Sequence, residues 1–282
     1  MRVAFVGAGQ IGTPMSERLL AAGHELTVYA RRAEVREHFA RLGAAVTDSL
    51  AEAADGADAV HLALYSDEQL AEVTMGAADS GQADSGQANS GQEGLVPHLG
   101  ADALLVSHTT GSPATIRRIA DAGNGHVVDA PFSGGADDVL AGHLTVMFGG
   151  APDDIARARE TVGAYADPMV DIGALGSALV VKLVNNALFA ANIQLVAQAE
   201  QIANDLGVDT PTLARVIQES SGASYVMGLI AAMGSTRTLV DVAGHYMRKD
   251  IDVVREVVDG LGVDLGILGT VLDGGPAHFT PR

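Results

Sequence analysis

Cysteine and tryptophan are absent from the 282 residues, and only 4% of the residues are aromatic. Without cysteine the chain has no disulfide, no thiolate metal site and no cysteine nucleophile. Basic residues are also few: 17 Lys and Arg stand against 35 Asp and Glu, which gives a net charge of −18. Such a chain repels polyanions, so we expect neither nucleic acid nor a membrane surface as a partner. The nine histidines lack metal-ligand spacing, and no metal is expected.

The apolar content is high enough for a sizeable core. Apolar residues make up 48% of a chain whose length suggests two domains or one large one. No basic segment followed by an apolar one precedes the first strand, at 3–6. We therefore expect a soluble, cytoplasmic protein.

A glycine-rich turn joins this first strand to the first helix, with the spacing G-x-G-x-x-G. The first glycine permits the tight turn, the second lets a pyrophosphate approach the backbone, and the third packs the helix against the strand. The pattern predicts a dinucleotide-binding loop; the alternative is a glycine-rich turn without a ligand. The residues expected to contact the cofactor are Gly7, Gly9, Gln10, Ile11 and Gly12.

The end of the second strand indicates which dinucleotide is bound. Enzymes that use NAD usually end this strand with a carboxylate that holds the ribose diol. Here Tyr29 is followed by Ala30, Arg31 and Arg32, and two guanidinium groups suit a 2′-phosphate. The pattern favours NADP over NAD; the alternative is an ordinary exposed arginine pair.

Ligands of open parallel sheets lie beyond the carboxyl ends of the strands. We therefore expect Leu64 and Tyr65, at the end of the strand that begins near residue 58, to line the cofactor. Thr110 follows the next strand. It either contacts the cofactor or caps the helix that begins at Pro113, and its chemistry alone favours neither.

A Ser-Gly-Gly turn follows the strand at 126–129. Ser133, Gly134 and Gly135 offer a hydroxyl and two unobstructed backbone N–H groups before a helix. These groups suit a carboxylate, so the turn is a candidate for substrate binding.

Strands and helices alternate to about residue 172, and the rest of the chain is helical. The pattern predicts an α/β fold in which a Rossmann domain with a doubly wound parallel sheet, at 1–172, precedes an all-α domain at 173–282. The low-complexity segment 76–94 contains three copies of a five-residue unit similar to ADSGQ. We expect it to be a flexible loop.

The stretch 173–207 is predicted to be one long helix, apolar on every side, buried nearly all round and ended by Gly207. Lys182 and Asn186 lie one turn apart on it. A buried ammonium is costly unless it is paired or has lost its proton. Lys182 is therefore either a catalytic group or a lysine that snorkels from a core helix.

Four motifs in order make the chain resemble the β-hydroxyacid dehydrogenase family, which includes 3-hydroxyisobutyrate dehydrogenase and tartronate semialdehyde reductase. The resemblance covers nearly the whole chain. The motifs are the cofactor loop at 7–15, the substrate loop at 129–135, the catalytic motif from Gly173 to Asn186, and Lys249-Asp250-Ile251. Phe132, Ala178 and Tyr65 stand where the family commonly has valine, glycine and proline.

The resemblance implies an oxidoreductase that transfers hydride between NADP(H) and a small 3-hydroxy acid or its semialdehyde. It implies that Lys182 is the catalytic acid and base and that Asn186 hydrogen-bonds the substrate and Lys182. Ser133, Gly134 and Gly135 then hold the carboxylate of the substrate.

The resemblance also implies further contacts and an assembly. Asn185 is assigned to the substrate, Thr110 and Lys249 to the cofactor, and Arg31 fits the NADP-preferring pattern. The long helix is expected to bridge the two domains and to form part of a homodimer, or tetramer, interface. Two alternatives stay open: an imine reductase of the same architecture, which usually lacks this lysine and the Ser-Gly-Gly turn, and a non-catalytic NADP-binding sensor.

Overall fold

The computed structural model describes residues 1–76 and 93–279. The five-residue repeats, and with them the predicted flexible loop, lie outside the described residues. The chain divides into two compact units, Met1–Lys182 and Leu183–Arg282. The division falls inside the long helix, whereas the sequence placed the domain boundary at residue 172.

The first unit contains a nine-stranded sheet in the order β3-β2-β1-β4-β5-β6-β8-β7, with β9 paired to β8. The strands are β1 (Arg2–Val6), β2 (Glu25–Tyr29), β3 (Ala45–Thr47), β4 (Ala59–Leu62), β5 (Leu104–Ser107), β6 (Val127–Asp129), β7 (Phe132–Ser133), β8 (Leu144–Gly149) and β9 (Ala166–Gly173). The first six strands pair in parallel, and so do β8 and β9.

The sheet departs from the predicted parallel arrangement at β8, which runs antiparallel to β6 and β7. The connection between β7 and β8 explains the difference. It contains one helix of six residues, and a crossover between parallel strands needs a dozen residues or more. The sheet is therefore mostly parallel, with β8 and β9 both running opposite to the first six strands.

Helices cover both faces of this sheet. They are α1 (Gly12–Ala21), α2 (Ala33–Arg41), α3 (Leu50–Ala54), α4 (Asp67–Met75), α5 (Pro113–Ala122), α6 (Ala136–Ala141) and α7 (Pro152–Val162), with a 3₁₀ turn at Val96–His98. Side chains of successive β1 residues enter opposite cores, Val3 and Phe5 on one face and Ala4 and Val6 on the other, because strand side chains alternate. The sheet is thus buried on both faces, which is typical of parallel sheets.

A buried polar cluster lies within the core of the first unit. His61 is fully buried in β4 and is a core histidine. His108 donates from Nδ1 to the Ala130 carbonyl at 2.8 Å, and its Nε2 lies 2.9 Å from the Tyr165 hydroxyl. His61 Nε2 lies 2.9 Å from the Thr161 hydroxyl. Burial lowers the pKa of His108 to about 4 and holds the pKa of His61 well below its usual range, so both are neutral at pH 7.

The long helix, α8, runs from Ser177 to Asp205. It ends as predicted: Gly207 has φ +84°, the Gly207 N–H bonds the Asn204 carbonyl, and the Val208 N–H bonds the Ala203 carbonyl at 2.8 Å. These two bonds form a Schellman motif. The expectation that the helix is buried nearly all round is wrong for the single chain. A stripe of large apolar side chains on α8 stays exposed.

The second unit consists of helices packed around an apolar core to which Ala190 and Ile193 of α8 contribute. The other helices are α9 (Thr210–Gln218), α10 (Tyr225–Met233), α11 (Thr236–Gly260) and α12 (Ile267–Gly274). Within the described ranges α8 alone is long and apolar enough to cross a membrane, and half of its most apolar window is buried. Core helices of soluble proteins share that property.

Candidate active site

The glycine-rich turn between β1 and α1 has the shape that a pyrophosphate requires. A Cβ on Gly7, which has φ +105°, would lie 2.2 Å from the Ala63 carbonyl oxygen, and a Cβ on Gly12 would lie 2.0 Å from the Gly7 carbonyl oxygen. A Cβ on Gly9 would meet no atom within 4 Å. Two glycines are therefore needed for close packing, and the middle one leaves the backbone open to a ligand. The turn fits a dinucleotide.

The other predicted cofactor residues surround this turn. Gln10 is exposed beside Ile11, the residue that precedes α1. A Cβ on Gly7 would come within 3.2 Å of the Leu64 side chain, which places Leu64 against the turn. Tyr65 follows it and is exposed.

The hydrogen bonds of the turn after β5 distinguish the two interpretations of Thr110, as a helix cap or as a cofactor contact. Ser112 caps α5, since its hydroxyl accepts a hydrogen bond from the Ala114 N–H at 3.1 Å. Thr109 accepts one from the Leu64 N–H at 3.0 Å. Thr110 does not cap the helix, so its half-buried side chain is left for the cofactor interpretation.

Arg31 and Arg32 are exposed just beyond β2. Arg32 forms an ion pair with Glu34 at 3.6 Å. A third arginine, which no sequence pattern indicated, braces this turn: Arg36 donates to the carbonyls of Ala30 and Arg31 at 2.6 and 2.8 Å. The backbone that presents Arg31 is therefore fixed.

The Ser-Gly-Gly turn differs in one respect from the expectation of two unobstructed N–H groups. The Gly135 N–H donates to the Asp138 carboxylate at 2.7 Å, because Gly135 precedes α6 and the first N–H groups of a helix need acceptors. Gly134, with φ +128°, and Ser133 are exposed. The two groups of this turn that stay candidates for binding a carboxylate are thus the Ser133 hydroxyl and the Gly134 N–H.

Lys182 is half-buried on α8, and Asn186 is buried one turn later. Lys182 and Lys249 are the only lysines in the 282 residues. A chain that uses arginine almost everywhere else keeps an ammonium at two motif positions. An ammonium can release its proton near neutral pH, whereas a guanidinium cannot. Lysine scarcity was a signal in the sequence that pointed to both residues.

Asp129 holds the beginning of α8. It ends β6 and is fully buried. Its Oδ1 accepts a hydrogen bond from the Gly176 N–H at 2.7 Å, and its Oδ2 accepts one from the Leu179 N–H at 2.9 Å. Burial raises the pKa of the Asp129 carboxyl, and these two hydrogen bonds oppose that rise. In the sequence, Asp129 was recognised only as part of the substrate-loop motif, without a role.

Asp250 holds Asn186 in the second unit. The Asn186 Nδ2 donates to Asp250 Oδ2 at 2.7 Å, and the Asn186 Oδ1 accepts from Asn185 Nδ2 at 3.2 Å. Lys249 Nζ lies 2.9 Å from Asp250 Oδ1. Lys249 lies within α11, and Asn185 is exposed on α8. The amide orientation of Asn186 is therefore set by Asp250, a second residue that had been named only as part of a motif.

Two sequence-family descriptions match the chain in succession. They are the NAD binding domain of 6-phosphogluconate dehydrogenase, at residues 2–176, and the NAD-binding region of NADP-dependent 3-hydroxyisobutyrate dehydrogenase, at residues 176–273. The mitochondrial 3-hydroxyisobutyrate dehydrogenase of Homo sapiens is 30% identical over 265 residues, which cover 90% of this chain and 74% of the human protein. The chain belongs to the β-hydroxyacid dehydrogenase family.

Solved structures share the architecture. The Mycobacterium tuberculosis 3-hydroxyisobutyrate dehydrogenase with L-serine has a TM-score of 0.81 at 24% identity, covering 97% of this chain and 92% of that one. A Streptomyces aurantiacus imine reductase has a TM-score of 0.65 at 19% identity, with the same coverage of 97% and 92%. Such identities show the fold alone. Family membership makes the chain an NAD(P)-dependent oxidoreductase of the β-hydroxyacid dehydrogenase type, acting on CH–OH groups.

Proposed function

We propose that this β-hydroxyacid dehydrogenase interconverts a small 3-hydroxy acid and its semialdehyde with NADP(H). The observation that carries the proposal is the arrangement in the first unit. Asp129 ends the strand that leads into the Ser-Gly-Gly turn, and the same carboxylate binds the first turn of α8. The carboxylate-binding turn and the helix that carries Lys182 are thus fixed by one residue.

Each residue of the site has a role in the proposed reaction. The Ser133 hydroxyl and the Gly134 N–H bind the carboxylate of the substrate. Lys182 donates a proton to the carbonyl oxygen during reduction and accepts it back from the hydroxyl during oxidation. Asn186 donates a hydrogen bond to the substrate, with its amide oriented by Asp250. The bound nicotinamide supplies or accepts the hydride.

NADP is the proposed cofactor because of the turn after β2. Arg31 is exposed on a backbone fixed by Arg36, and the turn carries no carboxylate where an NAD enzyme has one. Arg31 provides the charge-assisted contact to the 2′-phosphate. Arg32 is paired with Glu34, whose negative charge offsets part of its own, so its contribution to binding the 2′-phosphate is smaller.

A substrate panel tests the proposal. The purified protein is assayed with short semialdehydes, glyoxylate and cyclic imines, each with NADPH and with NADH. We expect reduction of at least one semialdehyde or of glyoxylate, faster with NADPH. Turnover of cyclic imines alone would show an imine reductase, and tight NADPH binding without any turnover would show a sensor.

We also propose a homodimer. Val184, Leu188, Leu195 and Ile202 are each more than half exposed on α8, and their spacing places them on one side of the helix. A contiguous apolar stripe of this kind marks an interaction surface, and a two-fold dimer covers it with its own copy. Light scattering at micromolar concentration should give twice the mass of one chain. Leu188→Lys should reduce that mass, while Asn192→Ala on the same helix should not.

A further inference from the structure

Asp129 occupies a space that Gly149 leaves open. A Cβ on Gly149, the residue paired with Asp129 across β6 and β8, would lie 2.3 Å from Asp129 Oδ1. Gly176 has φ +90° and presents its N–H to the same oxygen. The carboxylate therefore passes over Gly149 to reach the first turn of α8. Any side chain at Gly149 would block it.

The carboxylate has the geometry of a helix cap supplied by a distant strand. The Val180 N–H bonds the Gly176 carbonyl, so Gly176 is the residue before the first helical turn and Leu179 the third residue inside it. The first N–H groups of a helix have no partner within the helix, and a negative charge at this end is favourable. Asp129 satisfies two of them. The direction of α8 as it leaves Gly176 is set by this contact.

The same residue also lies directly before the substrate loop. The Ala130 carbonyl, one residue further, accepts a hydrogen bond from the buried His108. The backbone at 129–130 is thus held from both sides, before the chain continues to Ser133. Lys182 follows Leu179 within one helical turn. A movement at Asp129 would move the lysine and the substrate-binding turn relative to each other.

We propose that Asp129 is a positioning residue that aligns Lys182 with the carboxylate-binding turn through its hydrogen bonds to Gly176 and Leu179. The proposal rests on the proposed function for its catalytic consequence, and on geometry alone for the contact itself. A misplacement of about 1 Å can cost roughly 100-fold in rate. Asp129 therefore acts on turnover without touching the substrate.

Two variants break the contact in different ways. Asp129→Asn removes the charge and replaces one accepting oxygen by a donor. Gly149→Ala keeps the aspartate but places a methyl group against its oxygen. Gly149 has no left-handed φ, so its backbone accepts alanine. If Asp129→Asn does not fold, Gly149→Ala still tests the proposal.

Matched controls separate position from general destabilisation. Asp154 is a buried carboxylate near the other end of β6, where it bonds His126 at 2.9 Å, and Asp154→Asn removes it. Gly100→Ala adds a methyl group whose nearest neighbour is 3.9 Å away.

The first readout does not need turnover. With lysine labelled by ¹³C at Cε, the protein gives two lysine signals, which Lys182→Arg and Lys249→Arg assign. We expect the Lys182 signal to shift in Asp129→Asn and Gly149→Ala and to stay at its wild-type position in both controls. An unchanged Lys182 signal in both test variants would overturn the proposal, even for a protein that reduces no substrate of the panel.

The second readout is kinetic. We expect kcat to fall about 10- to 100-fold in both test variants while the KM for NADPH is unchanged, because the Gly7–Gly12 turn is untouched. Losses no larger than those of Asp154→Asn would show that Asp129 only stabilises the fold. Failure of the wild type on the whole panel would refute the proposed function and leave the signal test of Asp129 standing.

Discussion

The two units hold their site residues by different means. In the first unit, a carboxylate binds backbone groups: Asp129 accepts hydrogen bonds from the N–H groups of Gly176 and Leu179. In the second unit, a carboxylate binds a side chain: Asp250 accepts a hydrogen bond from the Asn186 amide. A carboxylate that binds backbone must approach it closely, which here requires Gly149 and Gly176. Such a contact fixes the start of a whole helix. A carboxylate that binds a side chain orients one amide, and it requires no glycine that could be recognised in the sequence.

Removing Lys182, on the helix whose first N–H groups bind Asp129, should have the largest effect on turnover. Lys182→Ala should lower turnover by about 10²–10⁴, the range for losing a general acid–base group. NADPH binding should persist, because the proposed cofactor contacts, the Gly7–Gly12 turn and Arg31, are unchanged. Lys182→Arg should not restore turnover, since a guanidinium keeps its proton.

Steady-state turnover and NADPH fluorescence titration measure the two effects of Lys182→Ala. Asn192→Ala is the control on the same helix, because Asn192 bonds only the Leu188 carbonyl of its own helix in the described part of the chain. Equal turnover in wild type and Lys182→Ala would make the lysine structural.

The side-chain contact can be broken without changing the course of α8. Asp250→Ala removes the acceptor of the Asn186 amide and should lower kcat about tenfold or more, since a hydrogen bond to a charged group is worth about 1.5–3 kcal/mol. Asp250→Asn can keep that bond by turning its amide oxygen toward Asn186 and should lose less.

A double-mutant cycle decides whether Asp250 acts through Asn186. If it does, Asn186→Ala and Asp250→Ala together should cost about as much as Asn186→Ala alone. Additive losses in kcat would mean that Asp250 acts by another route, of which its contact with Lys249 is one.

The same difference explains what the sequence predicted. The glycine turn at Gly7–Gly12 and the long helix ending at Gly207 were predicted because they need glycines at fixed positions. The antiparallel direction of β8 was missed because it depends on the length of a connection and not on the pattern within the strand. The Asp138 bond to Gly135 has the three-residue spacing of a helix start, and it was missed because Gly135 was assigned to the substrate and not to the start of α6. The roles of Asp129 and Asp250 depend on residues that are distant in sequence, such as Leu179 and Asn186, and no spacing rule reveals such pairs.

The cofactor preference tests a third way of holding a site residue. Arg31 is presented by backbone that Arg36 braces through two carbonyls. Arg31→Asp should reduce the preference for NADPH over NADH about tenfold or more, the equivalent of about 1.5–3 kcal/mol for a lost charge-assisted bond. Arg41→Asp, the same charge change at an exposed site at the end of α2, should leave the preference unchanged.

Dissociation constants for both cofactors measure the effect of Arg31→Asp. Equal wild-type affinity for NADPH and NADH would remove the basis for assigning the 2′-phosphate to Arg31. A larger effect for Arg32→Asp than for Arg31→Asp would show that the ion pair with Glu34 does not restrain Arg32.

The smallest expected effect is on the free energy of unfolding, and it arises from a histidine in the core of the first unit. His108 has a pKa near 4 because burial penalises its charged form, whereas the same group in an unfolded chain has a pKa near 6.5. Between these values the unfolded state binds more protons, so the contribution of His108 to stability falls as the pH falls from about 6.5 to about 4. Each such histidine contributes up to about 1.4 kcal/mol per pH unit.

His108→Asn should lower this slope by up to about 1.4 kcal/mol per pH unit, because asparagine can still donate to the Ala130 carbonyl but does not titrate. Urea unfolding followed by circular dichroism across this pH range measures the slope. Thr161→Val is the control: it removes the hydroxyl beside His61 but no histidine, so it should lower stability at every pH and keep the slope. A slope unchanged in His108→Asn would mean that the acid sensitivity of the first unit comes from His61 or from its carboxylates and not from His108. The network around Ala130 would then hold the substrate loop at low pH as firmly as at pH 7.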